Sequence, residues 1–316
     1  MIVRLNTRHK SSGGNQYEDE VVRAVDGDCS IKTEYIKLYE SAFLNILHFI
    51  SLYFYYKFFY KGTLLLNNAT TYFAGFRSRN IVISHHIDSV FSLKPMAIYQ
   101  FLCDKYLFCH KKRFETIVTV SKFWEKMFVD NGFKKVEVIY NSFDPEKYKF
   151  NYSDVEAFRA KYNLCGKPVI YLGNCGTGKG VEESYAVLKD MDVHFVTSGP
   201  SKLNIPVLNL FLSQDEYRLL LASSNIVLTM STFKEGWNRT AHEASLCGTS
   251  VIGSGIAGMR ELLELAGQTI VCDFNELHVA VTNVLNKKYI PTDELLSLNL
   301  KYFRAKWLGT LGGDSF

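Results

Sequence analysis

The stretch STFKEGWNRTAHEASLCGTSVIGSG, residues 231–255, decides the fold of this chain. Two short apolar runs, 225–230 and 249–253, have the length and composition of buried strands, one before the stretch and one inside its end. A loop and helix that connect two such strands form the crossover of a βαβ unit. Ligands of open parallel sheets bind where the strands end, so we expect the loop after residue 230 to bind a ligand.

Two carboxylates in this stretch, Glu235 and Glu243, have seven residues between them. Gly236 supplies a flexible turn, and Asn238 is a favourable N-cap for a helix predicted over 239–246. The free N–H groups at the start of a helix favour an anion, and a diphosphate suits this position. Glu235 and Glu243 would then flank the anion and accept hydrogen bonds from sugar hydroxyls. The alternative is that both are solvated surface charges.

This stretch resembles the retaining glycosyltransferases of the GT-B fold known as family 4. Their signature is Glu, seven residues, Glu, then Ala and Cys-Gly-Thr-Pro-Val-Ile. The matching residues here are Glu235, Glu243, Ala244, Cys247, Gly248, Thr249, Ser250, Val251 and Ile252. Residues 121–148 resemble the interdomain region of that family, and residues 171–180 resemble the first strand and phosphate loop of its donor domain. The resemblance extends over 121–263, and upstream it rests on 12–18 and 84–86.

The resemblance implies an α/β protein with two doubly wound Rossmann-like domains facing across a cleft. It also implies transfer of a sugar from a nucleotide-diphosphate donor to a hydroxyl acceptor, a glycan or a lipid-linked molecule, with retention. Neither a metal nor any cofactor beyond the nucleotide sugar is expected. The candidate site residues are Glu235 and His86 for catalysis, Lys179, Gly14, Gly236, Trp237, Asn238 and Arg239 for the donor diphosphate, and Glu243, Ser198 and Gly199 for the nucleotide and ribose.

The loop GNCGTGK, residues 173–179, matches all but the last position of a Walker phosphate loop. An ATPase or kinase needs Ser or Thr directly after the lysine to hold magnesium, but Gly180 stands there, and no acidic residue ends the strand at 225–230. We therefore expect Lys179 to place its charge against a donor diphosphate, with a solvated surface lysine as the alternative. The family usually carries Arg where this chain has Asn174, and Arg239 is the candidate replacement.

Weaker signals lie in the first half of the chain. Gly13 and Gly14 follow a predicted strand and open a predicted helix, where backbone N–H groups could approach a phosphate or an acceptor; a plain turn fits equally well. The predicted strand 80–84 ends in His85 and His86. The resemblance implies that a histidine here contacts the donor sugar, and we favour His86.

The alternatives for these histidines are a hydrogen-bonded structural pair, or a metal site with Asp88 whose further ligands cannot be identified. In the second half, Ser198 and Gly199 end the predicted strand 194–197, where we expect the nucleotide base.

Composition restricts the function without defining it. At 316 residues the chain suits two domains. Lys and Arg total 36 against 32 Asp and Glu, so nothing requires a nucleic-acid partner, whereas a phosphorylated donor or an anionic membrane face would be mildly favoured. Seven cysteines without a Cys-x-x-Cys pair argue against a disulfide framework or structural zinc. We expect a cytosolic protein, and the first ten residues have no secretory-signal pattern.

One apolar segment, residues 43–59, is at the lower limit of what could span a bilayer. Asn45, His48, Ser51 and Lys57 interrupt it, which makes a spanning helix improbable. A buried helix of an α/β domain is the main expectation. The alternative is an interfacial helix whose aromatic rings rest at the headgroup level, as would suit peripheral membrane contact and a lipid-linked acceptor.

Strands and helices alternate along the whole chain, which predicts parallel sheets with right-handed crossovers. We place an acceptor-side domain at 1–145 and a donor domain at 146–292. The last segment, 293–316, is expected to contain a helix over 293–307 that crosses back to the first domain, as in the family. Two other functions remain open: a sugar- or nucleotide-binding scaffold on a decayed GT-B fold, which Asn174 and Asn238 would suit, and a GT-B epimerase or phosphorylase, which the glutamate pattern disfavours.

Overall fold

A computed structural model describes residues 1–6, 13–36, 40–87, 95–176, 178–200 and 203–312. The chain divides into two compact units. The first combines Met1–Asn141 with Lys301–Phe316, and the second is Ser142–Leu300. Each unit holds one six-stranded sheet. The predicted assignment of these parts as acceptor-side and donor domains stays a prediction.

The first sheet has the strand order β2-β1-β3-β4-β5-β6, and all its pairings are parallel. Its strands are β1 (Ile2–Asn6), β2 (Ile31–Tyr35), β3 (Thr63–Asn67), β4 (Arg79–Ser84), β5 (Thr116–Thr119) and β6 (Val136–Val138). The helices between them are α1 (Gly13–Val25), α2 (Ala42–Phe54), α3 (Pro95–Cys109) and α4 (Lys122–Asp130).

Burial in the first unit follows the apolar pattern of the sequence. The central strand β3 contributes a continuous run, Leu64, Leu65 and Leu66, and all three side chains are buried. Such runs are typical of parallel strands that are covered on both faces. Helix α1 buries Tyr17, Val21 and Val25, which lie on one face because four residues make about one helical turn.

The second sheet is also parallel and has the order β12-β11-β10-β7-β8-β9. Its strands are β7 (Val169–Asn174), β8 (His194–Ser198), β9 (Leu208–Leu210), β10 (Ile226–Thr229), β11 (Ser250–Gly253) and β12 (Thr269–Ile270). Its helices are α5 (Tyr152–Lys161), α6 (Val181–Leu188), α7 (Gln214–Ser223), α8 (Arg239–Leu246), α9 (Gly258–Leu265), α10 (Phe274–Val284) and α11 (Asp293–Ser297).

The strand order of the second sheet places its switch point between β7 and β10. From β7 the chain proceeds outward through β8 and β9, and it then returns to the other side of β7 to continue through β10, β11 and β12. Where the direction of winding reverses, the loops after the two central strands lead to opposite faces and leave a crevice for a ligand.

The last part of the chain differs from the single helix predicted over 293–307. Helix α11 ends at Ser297, and a second helix, α12 (Leu300–Gly312), follows. The helix breaks because Leu298 has a non-helical backbone and its carbonyl accepts a hydrogen bond from the Phe143 N–H at 3.3 Å. Helix α12 belongs to the first unit, where Trp307 is buried beside Tyr17 with ring centroids 6.3 Å apart.

The apolar segment 43–59 forms α2 and a π-helical turn, Tyr55–Phe59. Tyr56 and Lys57 of this turn are buried, but most large apolar side chains of the segment are exposed. The prediction of a fully buried helix is therefore wrong. In the described part of the chain, no other element of the first unit covers the outward-facing side chains of this segment. Within that part, no helix combines the length and apolar character needed to cross a bilayer.

Candidate functional site

Two loops at the switch point of the second sheet form the candidate site. One leads from β7 to α6, and the other leads from β10 to α8. The Thr232 N–H of the second loop donates a hydrogen bond of 2.8 Å to the Gly178 carbonyl of the first. Because β7 and β10 are neighbours in the sheet, both loops leave the same edge, and this hydrogen bond holds them together.

The glycine-rich loop needs glycine at its last position. Gly180 has a φ of +69°, and a Cβ placed there would lie 2.1 Å from the Met230 carbonyl oxygen. No side chain fits that gap, so the loop can pass this close to the end of β10 only with glycine at this point. The close approach brings the preceding residue, Lys179, to the loop after β10.

Lys179 and Glu235 form an ion pair, with Lys179 Nζ 2.6 Å from Glu235 Oε1. Ser231 Oγ donates to the same oxygen at 2.6 Å, and the Asn238 side-chain amide donates at 3.3 Å. Lys179 also lies 4.8 Å from the centre of the Phe233 ring. From the sequence we expected Lys179 and Glu235 each to contact a ligand. In the structure the two side chains contact each other.

The start of helix α8 is built as the sequence predicted. Asn238 is the N-cap, and its side-chain oxygen accepts from the Ala241 N–H at 2.9 Å. The helix spans Arg239–Leu246, which matches the predicted 239–246. Since the same Asn238 side chain also donates to Glu235, it fixes the carboxylate relative to the helix start. Gly236, between them, is buried.

Trp237 and Arg239 turn their side chains to other partners. The buried Trp237 indole donates to His242 Nδ1 at 3.2 Å. Burial, together with the charge of Arg239, lowers the pKa of His242 to about 3, so this imidazole is neutral and can accept. The Arg239 guanidinium lies 4.5 Å from the centre of the Phe143 ring. Because its side chain is engaged, Trp237 could contact a phosphate only through its backbone N–H. Arg239 would have to move away from Phe143 to supply the positive charge that the resembling family has at the position of Asn174.

Glu243 is buried in α8, and Tyr148 donates a hydrogen bond of 2.8 Å to its Oε1. Burial raises the pKa of the Glu243 carboxyl, while the charges of Arg239 and Arg218 oppose that effect. Tyr148 was missed in the sequence because it lies 95 residues from Glu243. The only available signal was that the segment 121–148 resembles a known interdomain region.

Ser198 ends β8, which pairs with β7, and Gly199 follows the strand. Ser198 Oγ lies 2.6 Å from the buried Tyr171 hydroxyl. The Gly199 carbonyl accepts from the Asn209 side chain at 3.0 Å. Gly199 has a φ of +102°, and a Cβ there would meet nothing within 4 Å among the described residues. The expected contact of this turn with the nucleotide base stays a prediction.

Asn174, which stands where the resembling family has arginine, is bound to its own loop. Its side-chain oxygen accepts from the Gly176 N–H at 3.1 Å. The side chain is exposed and uncharged, so it stabilises the turn without adding positive charge. In this loop the positive charge comes from Lys179 alone.

Two candidate residues, Gly14 and His86, belong to the first unit. A Cβ on Gly14 would lie 3.2 Å from the imidazole of His85, which also packs edge-on to Tyr17 with centroids 5.0 Å apart. The His86 carbonyl accepts from the Asn68 side chain at 2.9 Å. The structure therefore brings the His85 imidazole against Gly14, whereas His86 was the favoured histidine.

The metal alternative involved Asp88, which lies outside the described residues, as does Ser12 of the upstream resemblance. Within the described ranges, no group of three or more His, Cys, Asp or Glu side chains is arranged to hold a metal ion.

Solved glycosyltransferase structures resemble this chain over nearly its full length. Against HepE from Anabaena, solved in complex with UDP-glucose, the TM-score is 0.76 with 16% identity, covering 98% of this chain and 99% of that one. The chain has the GT-B fold. A glycosyltransferase from Rickettsia africae gives 0.70 with 14% identity over 99% of both chains. Sucrose-phosphate synthase from Thermosynechococcus elongatus gives 0.69 with 16% identity over 97% of this chain and 93% of that one.

These likenesses confirm the predicted α/β GT-B fold, and at such low identity they show the fold alone. Comparison by sequence gives no matching family model and no matching curated protein.

Charge is divided unequally between the two units of this GT-B chain. The first unit has 22 Lys and Arg against 14 Asp and Glu, and the second has 14 against 18. The candidate site in the second unit therefore lies in an acidic background. Lys179 and the start of α8 are the local features that favour an anion there.

Proposed function

We propose that this protein is a glycosyltransferase that moves a sugar from a nucleotide-diphosphate donor to a hydroxyl acceptor. The observation that carries the proposal is the Lys179–Glu235 pair at the switch point of the second sheet. A cation on a glycine-rich loop and a carboxylate beside a helix start are what a sugar diphosphate requires: one partner for the phosphates and one for the sugar hydroxyls. The GT-B fold supports this assignment.

In this proposal the donor exchanges the partners of the pair. The diphosphate replaces Glu235 as the partner of Lys179. The Glu235 carboxylate then accepts hydrogen bonds from the donor sugar, and Ser231 and Asn238 continue to hold it in position. Glu243, held by Tyr148, accepts hydrogen bonds from the ribose hydroxyls. These groups are positioned before the reaction, so their contribution is orientation of the donor and stabilisation of charge.

The transfer we propose proceeds with retention, as the family resemblance implies. The acceptor oxygen bonds to the anomeric carbon on the face from which the diphosphate leaves. The bond between that carbon and the diphosphate oxygen breaks with its electrons on the diphosphate. The leaving diphosphate takes the acceptor proton, and Glu235 stabilises the positive charge that develops on the sugar. We further propose that the reaction needs no metal or other cofactor, and that the protein works in the cytosol.

A panel of nucleotide sugars tests the donor. UDP-glucose is the first choice because HepE is solved with it, and GDP- and ADP-linked sugars complete the panel. A donor at about 100 times its dissociation constant should stabilise the fold by roughly 2.7 kcal/mol, seen as a higher melting temperature. No response to any nucleotide sugar would contradict the proposal.

Turnover of the responding donor tests the enzyme. We expect release of the nucleoside diphosphate and, by NMR, a product with the anomeric configuration of the donor. Activity should survive excess EDTA. Loss of activity in EDTA that magnesium or manganese restores would contradict the metal-independent mechanism.

A nucleotide-sugar-binding scaffold is the second candidate, and one observation favours it. Asn174 binds its own loop where the resembling family places a cation, so the diphosphate would have one positive partner fewer. A scaffold would raise its melting temperature with a donor and yet neither hydrolyse nor transfer it.

A further inference from the structure

The first unit carries an exposed apolar surface, which we call the aromatic face. It comprises side chains of α2 and of the π-helical turn that follows, together with Phe76, which packs against that turn. Phe43 is 67% exposed, Ile46 58% and Phe59 66%. The other members of the face are also exposed large apolar side chains: Leu44, Leu47, Ile50, Phe54, Tyr55, Phe58 and Phe76. Exposed large apolar side chains concentrated on one helix and the turn after it indicate an interaction site.

The aromatic face has no exposed charge of its own. Lys57 is the one Asp, Glu, Lys or Arg within 42–59, and it points inward. Its Nζ donates to the Tyr72 carbonyl at 3.1 Å and to the Tyr106 hydroxyl at 2.5 Å. Burial and the charge of Arg113 lower the pKa of Lys57 to about 8. The inward lysine anchors the π-helical turn, and the apolar rings of the turn are left on the outside.

Positive charges border one end of the face. Phe58 packs against Phe76 with ring centroids 5.3 Å apart, and the Arg113 guanidinium lies 4.0 Å from the centre of the Phe76 ring. Arg113 belongs to the 3-10 turn Lys111–Arg113, in which both lysines are exposed. Lys61, just after the π-helical turn, is exposed as well. Apolar rings therefore adjoin a basic cluster.

We propose that the aromatic face docks on an anionic lipid bilayer and rests its rings at the headgroup level. Three observations favour a bilayer over a protein partner: residues 42–59 contain no carboxylate, basic side chains border the end of the face at Phe76, and the first unit has an excess of eight positive charges. Amphipathic helices that lie in a membrane interface combine apolar burial with attraction of Lys and Arg to anionic lipids. This surface lies in the first unit, so its test does not depend on donor binding.

Vesicle sedimentation of the full chain tests the docking. Vesicles of phosphatidylcholine alone are compared with vesicles that also contain phosphatidylglycerol. We expect the protein to bind the anionic vesicles roughly tenfold or more tightly than the neutral ones, because each basic residue near the surface adds attraction. The variant F43Q/I46Q/I50Q should lose the binding, and K111Q/K112Q should weaken it roughly tenfold and reduce its salt dependence.

The matched control is F211Q/V279Q/I290Q, which removes from the second unit three apolar side chains that are at least as exposed as those of the triple variant. It should bind vesicles as the parent does. Melting curves and circular dichroism verify that all variants fold.

A second measurement keeps the proposal testable if the triple variant misfolds. In F54W the new indole should be quenched by brominated lipids, whereas the indole of F211W should not. Failure of the parent to bind vesicles, equal binding to both vesicle types, or unquenched F54W would overturn the proposal. A dimer in sedimentation velocity that F43Q/I46Q/I50Q dissociates, without vesicle binding, would assign the face to a second copy of the chain.

Discussion

Lys179 and Glu235 stand 56 residues apart in the chain, and their charged ends meet at 2.6 Å between neighbouring strand ends. The Glu235 carboxylate is thus already paired with the ammonium group of Lys179, which is the cation that a diphosphate would need. Donor binding therefore has to exchange one anionic partner of Lys179 for another, and substitutions on the two sides of the pair should have opposite effects on diphosphate binding.

Substitution of Lys179 by alanine should weaken nucleoside-diphosphate binding by roughly one to two decades. A charge-assisted contact of about 1.5–3 kcal/mol is lost, and Glu235 is left without its cation. Isothermal titration calorimetry measures the change. The exposed Lys189 in the same unit provides the control, since Lys189→Ala should bind as the parent does. Equal affinities of Lys179→Ala and parent would remove Lys179 from the site.

The variant Glu235→Gln should separate binding from turnover. It keeps the shape of the side chain but no longer holds Lys179 by charge, so affinity for the bare nucleoside diphosphate should rise. Its kcat should fall more than its KM rises, because the lost charge acts in the transition state. Steady-state kinetics and calorimetry on the same preparation measure both. A folded Glu235→Gln with parental kcat would contradict the catalytic role.

Glu243→Gln should stabilise the fold and lower the affinity for the donor. Because burial raises the pKa of Glu243 in the folded protein, the folded state keeps this proton to a higher pH than the unfolded chain does. The stability that the neutral form contributes is present below the unfolded pKa of about 4.3 and is lost as pH rises through the folded pKa.

Near neutral pH, Glu243→Gln should therefore melt at a higher temperature than the parent, and the difference should shrink in acid. Donor affinity should drop roughly tenfold, as expected when a charge-assisted hydrogen bond is lost. Melting curves over a pH series and donor titrations measure the two effects. The exposed Glu264 serves as control, since Glu264→Gln should change neither. A lower melting temperature for Glu243→Gln at neutral pH would show that its charge stabilises the fold.

His242 should contribute to acid unfolding. Its pKa in the folded protein is about 3, and an unfolded histidine titrates near about 6.5. The unfolded chain thus takes up a proton between these values that the folded chain does not, and stability falls as pH decreases through this window. His242→Gln should make the decrease of the unfolding free energy with acidity shallower. Urea denaturation over this pH range measures the unfolding free energy. Substitution of the exposed His278 by glutamine is the control and should leave the slope unchanged. Equal slopes in the parent and His242→Gln would show that His242 does not cause the loss of stability in acid.

Local elements were largely predictable because their signals are local. Helix α8 was placed correctly since Asn238 caps it, and Gly248, with a φ of +76°, follows its end. The strands predicted at 80–84, 194–197, 225–230 and 249–253 correspond to β4, β8, β10 and β11. Strand β9 gives no apolar run, because Asn209 lies between its two leucines. The strand order was not predictable, because the pairing of β10 with β7 joins segments more than fifty residues apart.

The positions of Lys179 and Glu235 at strand ends were predictable from the sequence, but their contacts were not, and their role in a site stays a prediction. A local pattern places Lys179 and Glu235 at strand ends, but it cannot show that they bind each other, or that Tyr148 binds Glu243. The error at 43–59 has the same origin. A buried helix and an exposed apolar helix can have the same composition. Here Tyr56 and Lys57 are the buried side chains, and the apolar side chains around them are exposed, which composition does not show.

Helix α12 has a consequence for how the protein is made. Arg79 donates to the carbonyls of Thr310 and Leu311, at 2.7 Å each, and the Trp307 side chain completes the core beside Tyr17. These partners leave the ribosome only after the entire second unit. At about 5–20 residues per second, the first unit waits on the order of ten seconds with this part of its core open to solvent. A chain that ends at residue 300 and is held on the ribosome by a linker long enough to clear the exit tunnel should therefore present a folded second unit and a first unit that recruits chaperones.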